Sequence, residues 1–380
     1  MRLLFVSHSL PPRGRPLENV GGMQRVSLDL HDSLLTHRGA DVTTLVLRSP
    51  WNQRAWRTPV FLGAALREIR RLARSRDVDA ILFSSMVTAA LVVPLRSVLK
   101  RNGIVTASIV NGLDVTTPTW PYPSLVRRTF ETLDLALPIS RATAAASEAR
   151  GLARTRCTVV PLGIRLDRFS PEQDHATARE RIHTAYADAE ATAPRLILCS
   201  VGRLVPRKGV AWFVANVMPL LPADVHYLIV GDGPERTRIE DTIRHHDLGA
   251  RVKLTGAVSD SELEVVYRGS DLFVMPNVPV PGDIEGFGLV MLEAGLCGLP
   301  TIASQLEGIA DVITEGENGH LVESGSVAEF RAAIMRYYDN PDRLGVASVR
   351  ARLHTASRFG WAGVTDRYIE VMRELVEGPR

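Results

Sequence analysis

Lysine is almost absent from this chain. Only Lys100, Lys208 and Lys253 stand among its 45 basic residues, so nearly all of the positive charge is arginine. Cysteine is as sparse: Cys157, Cys199 and Cys297 are scattered, odd in number and without a CxxC or Cys/His spacing. That argues against a disulfide framework or a zinc site and reads as reduced, buried thiols in a cytoplasmic protein. Long hydrophobic runs are missing too. The longest uncharged stretch, Ala80 to Leu95, contains Ser84, Ser85, Thr88 and Pro94. It is shorter than the roughly 20 residues of a bilayer span and reads as a strand, a turn and a helix. The N-terminal Met-Arg-Leu-Leu-Phe-Val-Ser, broken at Pro11-Pro12, reads as a buried strand and not as a signal peptide. No repeat with a period of about 20–50 residues occurs. No GxGxxG with a downstream acidic residue occurs either, so a dehydrogenase has little support. A net charge of +3 over 380 residues gives no electrostatic case for nucleic acid.

What is present is the balance of a globular enzyme, 45% apolar and 23% charged, long enough for two ordinary domains. Short apolar segments alternate with amphipathic ones, the pattern of parallel sheets covered on both faces. In the first half the strands fall near Leu3–Val6, Val42–Leu47, Ala80–Phe83, Val105–Val110, Ala136–Pro138 and Thr158–Val160. Helices lie between, for example from Gly22 to about His37 and from about Leu62 to Arg74. The pattern restarts with strands near Leu196–Val201, Tyr227–Val230, Val252–Leu254, Leu272–Val274 and Thr301–Ala303. A linker is expected around residues 161–170, and the polar, Ala-rich stretch from Ser170 to Pro194 opens the second domain. Ligands in open α/β sheets bind beyond the carboxyl ends of strands, so two such domains face a cleft with two sets of binding loops.

The sharpest chemical signal is Glu285-Gly286-Phe287-Gly288-Leu289-Val290-Met291-Leu292-Glu293-Ala294. Gly286 and Gly288 allow close approach of backbone to ligand. The free amides at the helix start, near Phe287, Gly288, Leu289 and Val290, suit a pyrophosphate. Eight residues of helix span roughly 12 Å, so one carboxylate can lie at one end of an extended ligand and the second at the other. The second signal is Val201-Gly202-Arg203-Leu204-Val205-Pro206-Arg207-Lys208-Gly209, after the first strand of the second half. Arg203 and Lys208 can set two cations against a diphosphate.

The order Gly-Arg-Leu…Lys-Gly, Gly231-Asp232-Gly233-Pro234, Thr255-Gly256 and Glu-x7-Glu in an EGFG…LEA…G.P frame resembles the retaining glycosyltransferases of family 4. Thr301-Ile302-Ala303, Gly308 and Asn318-Gly319 continue the pattern. The first half matches more thinly, through Gly21-Gly22 and Pro161-Leu162-Gly163-Ile164…Phe169. The resemblance implies a GT-B fold: α/β, two facing Rossmann-like domains with parallel sheets and an interdomain cleft. It places an N-terminal acceptor-side domain at 1–164, with a C-terminal helix over 361–380 packing back on it, and a donor domain at 165–360. It implies a hexose-type sugar moved from a UDP- or GDP-sugar to an acceptor hydroxyl with retention, in glycan, glycolipid or cell-envelope polysaccharide synthesis. No cofactor or metal is required. The catalytic positions are then Arg203, Lys208 and Glu285. Gly21, Gly22, Gly202, Val258, Gly286, Phe287, Gly288, Leu289 and Glu293 bind the donor, with Glu293 on the ribose hydroxyls and Val258 near the base. His8, Asn111 and Asp114 lie on the acceptor side. Many relatives carry His where this chain has Asn111, and Asn cannot act as a base near neutral pH. Two other functions stay open: a nucleotide-sugar 2-epimerase of the same fold and a nucleotide-sugar-binding protein without catalysis.

Other features read more plainly. Asp77-Val78-Asp79 matches a DxD metal pattern but precedes a strand, where acidic residues are ordinary. His245-His246-Asp247 ends a helix, where His complements the dipole. Arg67, Arg70, Arg71 and Arg74 share one helix face opposite Leu62, Leu66, Ile69 and Leu72. With the basic aromatic loop Trp51, Arg54, Trp56 and Arg57, that face reads as solvated or as contacting anionic lipid or a lipid-linked acceptor. The chain is thus expected in the cytoplasm, with the inner face of the membrane as its surface of contact.

Overall fold

The computed structural model describes residues 1–14, 22–169, 174–186 and 193–378, so the Gly21 expectation falls outside the described residues. The chain divides into two compact units, Met1–Arg165 with Phe359–Arg380, and Leu166–Arg358.

The first unit holds five parallel strands: β1 Arg2–Leu10, β2 Asp41–Arg48, β3 Ala80–Phe83, β4 Val105–Val110 and β5 Leu135–Pro138. Their order is β2-β1-β3-β4-β5. Leu3–Val6 and Ala80–Phe83 are fully buried, as strands covered on both faces must be. The final helix, Trp361–Glu377, belongs to this unit and buries Val364, Tyr368 and Met372. Its Thr365 hydroxyl meets the Ser33 hydroxyl at 2.7 Å, and its Asp366 meets His37 at 2.8 Å. Gly163 lies flat on the Trp361 ring, where a Cβ would come within 2.5 Å of the indole.

The second unit holds six parallel strands: β6 Leu196–Val201, β7 Val225–Val230, β8 Val252–Gly256, β9 Leu272–Met275, β10 Thr301–Ser304 and β11 Gly319–Val322. Their order is β11-β10-β9-β6-β7-β8. Phe213, Tyr227, Ile239, Leu272, Ile302 and Phe330 fill one core face of this sheet. Helix starts are set locally: Ser259 caps Asp260–Gly269 in a capping box with Glu262, and Ser326 caps Val327–Tyr338.

Both sheets reverse direction next to their first strand, between β1 and β3 and between β6 and β9. There the loops at the carboxyl ends diverge to opposite faces and leave a crevice.

Two expectations are corrected, and one strand, β11, has no counterpart in the sequence pattern. The segment Thr158–Val160 runs beside β5 without becoming a strand: Thr158 and Val160 donate to the carbonyls of Ala136 and Pro138, but Pro138 has no N–H to return. The basic aromatic segment is not a loop. Trp51–Gln53 is a 3-10 turn, and the helix starts at Arg54 and runs to Ser75, with Pro59 inside it. The edge strand β11 carries only four residues, led by Gly319, too short for a periodicity to show.

Candidate active site

The loop after β6 carries the basic cluster. Gly202 takes a φ of 148°, and Arg203 follows it exposed to solvent. Buried Leu204 anchors the loop, and a 3-10 turn over Pro206–Lys208 leads into the helix Val210–Asn216. The turn folds Lys208 back, so that its Nζ would lie 3.9 Å from a Cβ placed on Gly202. Arg203 and Lys208 line one pocket with Gly202, Ser200, Met275 and Asn277, about 300 Å³ and partly open to solvent. This pocket sits at the β6/β9 reversal.

Glu285 is brought to the same place. It is 7% exposed, and its Oε2 accepts from Lys208 Nζ at 2.5 Å, Arg207 Nη1 at 3.2 Å and Asn277 Nδ2 at 3.2 Å. Arg207 Nε also donates to Asp283 at 3.0 Å. Burial alone pushes the Glu285 carboxyl upward, but Lys208 and Arg207 outweigh it and hold the group below its ordinary value. The pair is an ionised acid against a cation, both largely withdrawn from water.

The backbone is held by close approach. A Cβ on Gly231 would meet the Gly202 carbonyl at 1.9 Å, and one on Gly308 would meet the Gly286 carbonyl at 2.1 Å. The loops after β6, β7 and β10 and the Glu285 segment can approach this closely only with glycine at those points.

Residues 285–288 are not helical; the helix spans Leu289–Leu296. The two glutamates are therefore not joined by eight helical residues. Glu285 precedes the helix, and Glu293 lies in its second turn. Gly288 leads into the helix at a φ of 86°, Phe287 is buried, and Gly286 and Leu289 are half-buried. Met291 N–H donates to the Gly288 carbonyl at 3.0 Å, and the amides of Leu289 and Val290 open the helix ahead of it, where a helix has no carbonyl of its own one turn back. Glu293 forms a second cluster. It accepts from the Tyr267 hydroxyl at 3.1 Å, and Arg168 Nε stands 3.6 Å from it. Arg168 also grips Asp260 with two bonds of 3.0 Å. Half-buried Val258 lies in the same loop, two residues before Asp260. Burial dominates at Glu293 and raises its carboxyl above the ordinary value despite Arg168.

In the first unit, His8, Asn111 and Asp114 gather around Ser84-Ser85 at the end of β3. His8 Nδ1 is 3.5 Å from the Ser85 hydroxyl, and Asn111 Nδ2 is 3.5 Å from the Ser84 carbonyl. Burial, with Arg54 adding to it, lowers the His8 pKa to about 4. Asp114 accepts from the Asn111 backbone at 2.9 Å, its side chain at 3.1 Å and the Tyr122 hydroxyl at 3.4 Å. Burial raises its carboxyl. Asn111 and Asp114 thus satisfy each other first, as the start of the helix Gly112–Thr116. Gly22 enters the helix Met23–Thr36 at a φ of 70°. Asp79 of the DxD pattern is held by Arg2 at 2.5 Å, and Asp77 by the Ser75 hydroxyl at 2.5 Å.

Sequence reasoning missed Arg207, Asn277, Asp283, Glu307 and Arg168. Asn277 was findable as a polar residue just beyond the end of β9. Arg168 had no local signal, since its partners Asp260 and Glu293 are distant in sequence.

The two sheets and their reversal points are those of the GT-B fold. Residues 195–340, which hold the whole Arg203–Lys208–Glu285 cluster, match the family described as Glycosyl transferases group 1, and the chain carries a domain of that family. It is 29% identical over 220 residues to a GDP-mannose-dependent monoacylated alpha-(1-6)-phosphatidylinositol monomannoside mannosyltransferase of Corynebacterium glutamicum, covering 56% of this chain and 55% of that protein. It is 34% identical over 234 residues to a D-inositol 3-phosphate glycosyltransferase of Thermobispora bispora, covering 58% and 51%. The chain thus spans about half the length of these curated relatives. Among solved structures, Anabaena HepE in complex with UDP superposes with a TM-score of 0.71 at 18% identity, over 98% of this chain and 100% of that one.

Proposed function

We propose that this chain is a retaining glycosyltransferase that moves a hexose-type sugar from a UDP- or GDP-sugar to an acceptor hydroxyl. The observation that carries the reading is the Lys208–Glu285 pair over Gly202 at the β6/β9 reversal, with exposed Arg203 lining the same pocket. The second unit takes the donor. Arg203 and Lys208 meet the diphosphate, and the helix amides from Gly288 onward add to them. The charge that grows on the leaving diphosphate is the charge these groups favour, so they stabilise the transition state more than the bound donor. Lys208 already has a partner, so a donor phosphate shares its ammonium with Glu285. Glu285 then orients the sugar hydroxyls through its second oxygen, and Glu293 faces the ribose. The chain's own cations meet the leaving charge, so the chemistry requires no metal.

The first unit takes the acceptor near His8 and Asn111. Its helix Arg54–Ser75 turns Trp56, 61% exposed, and Val60, 73% exposed, outward beside the arginines. Arg57 lies over the Trp56 ring at 5.0 Å. That composition supports peripheral contact with anionic lipid and a lipid-linked acceptor. No helix among the described residues is long and apolar enough to cross a membrane. Sedimentation with vesicles containing anionic lipid tests the surface: Trp56→Ser with Arg57→Ser should release the chain, and unchanged sedimentation would remove the membrane from the account.

A thermal-shift screen against UDP-, GDP- and ADP-sugars, followed by product analysis with the best donor, tests the activity. Transfer with kept anomeric configuration supports the reading. An isomerised donor would make the chain an epimerase, and binding without turnover would make it a binding protein.

A further inference from the structure

Among the described residues, three that are not glycine take positive φ: Arg76, Asp247 and Glu307. Arg76 closes the helix ending at Ser75, and Asp247 follows the helix ending at His245, the usual place for a left-handed residue. Glu307 closes no helix. It lies three residues beyond β10 at a φ of 49°. Its side chain returns to the cluster described above, where its Oε2 accepts from the Glu285 backbone N–H. The next residue, Gly308, donates its own N–H to the Glu285 carbonyl at 3.0 Å. Both backbone groups of Glu285 are therefore bound by consecutive residues, with a carboxylate standing where a strand partner's carbonyl would be.

This arrangement is costly. A branch-free but bulky residue holds a conformation suited to glycine. Its carboxyl is partly withdrawn from water and lies near another carboxylate; burial raises it, the bond from the Glu285 N–H works the other way, and the Glu285 charge adds to the rise. The return is one fixed peptide, the one that aims Glu285.

We propose that Glu307 is a positioning residue: it locks the Glu285 peptide so that the Glu285 carboxylate meets Lys208, Arg207 and Asn277 on one side and the donor sugar on the other. The sugar contact rests on the function proposed above; the locking does not.

The test compares wild type with Glu307→Gly, which frees the backbone and removes the brace, and Glu307→Gln, which keeps an acceptor oxygen. Hydrogen exchange at the Glu285 amide should speed up about tenfold or more in Glu307→Gly while the rest of the second unit keeps its protection. The Tm should not fall. In transfer assays kcat should drop about tenfold while the Kd for UDP or GDP changes by less, because Arg203 and Lys208 stay on their own loop. Glu307→Gln should restore most of both. Unchanged exchange in Glu307→Gly overturns the proposal. So does a general loss of protection with a lower Tm, which would mark a merely structural role, or a Glu307→Gln as impaired as Glu307→Gly. If wild type transfers no sugar from any donor, the proposed function fails alone, and the exchange data still decide the role of Glu307.

Discussion

The two sheets end alike and are furnished differently. Each reverses its strand order beside its first strand and gathers loops there, yet the second unit places an ionised pair at that point and the first unit places a neutral histidine and a carboxyl closed off by its neighbours. Lys208 and Glu285 stand 2.5 Å apart with Glu285 held in its charged form. His8 is held neutral by burial, and the raised Asp114 carboxyl is occupied by Asn111 and Tyr122. The same topology thus serves two chemistries. Under the proposed function, the crevice lined by cations suits a diphosphate and the other suits hydroxyls.

The comparison can be broken most forcefully at Lys208. Lys208→Ala should lower kcat/KM for sugar transfer by about 10²–10³-fold, the usual loss when one preorganised charge at a leaving group is removed. It should also destabilise the second unit by about 3 kcal/mol, because Glu285 stays buried without its closest counter-charge. Steady-state kinetics and urea unfolding read the two effects. A comparable loss of turnover from His8→Gln alone would erase the distinction between the units.

The acid behaviour of His8 comes next. Its folded pKa of about 4 lies below the 6.5 of a free imidazole. The folded state therefore binds fewer protons between these values, and stability rises with pH across them. The contribution is complete above about 6.5 and is lost as pH falls toward 4, up to about 3 kcal/mol. Urea unfolding of the wild type and His8→Gln from pH 4 to pH 7 should show a flatter dependence in the variant.

The two glutamates of the motif should then show opposite signs. Glu285 has a lowered folded pKa, so its contribution is present above the ordinary 4.5 and lost as pH falls through the lower folded value. Glu293 has a raised one, so its contribution is present below 4.5 and lost as pH rises through the higher value. Comparing Glu285→Gln with Glu293→Gln by unfolding across pH 3 to 7 separates them; matching slopes would refute the opposed environments. The smallest effect is none: transfer should survive EDTA, since the chain supplies the cations, and loss of activity restored by a divalent ion would show otherwise.

Much of the second unit was legible because its chemistry is local. Gly202, Arg203 and Lys208 follow one strand, and Glu285 and Gly288 open one helix, so turn residues and charges fall at readable spacings. What was not legible depended on meeting at a distance. Arg168 reaches Asp260 and Glu293 across more than ninety positions, and Glu307 reaches the Glu285 peptide from another strand's loop. The eight-residue interval between the glutamates misled for a related reason: the helix begins only at Leu289, after Gly288 turns the chain in the left-handed region, so helical spacing does not apply to 285–288. In the first unit Asn111 and Asp114 looked like two ligand groups, and their proximity in sequence let them satisfy each other.

The central claim is that Arg203 and Lys208 form a diphosphate site in the second unit. Titration calorimetry with UDP and GDP, using wild type, Arg203→Ala, Lys208→Ala and His8→Gln, tests it directly. The account predicts binding of at least one nucleotide that is about tenfold or more weaker in each of the first two variants and unchanged in His8→Gln. Equal affinity in all four proteins would contradict it.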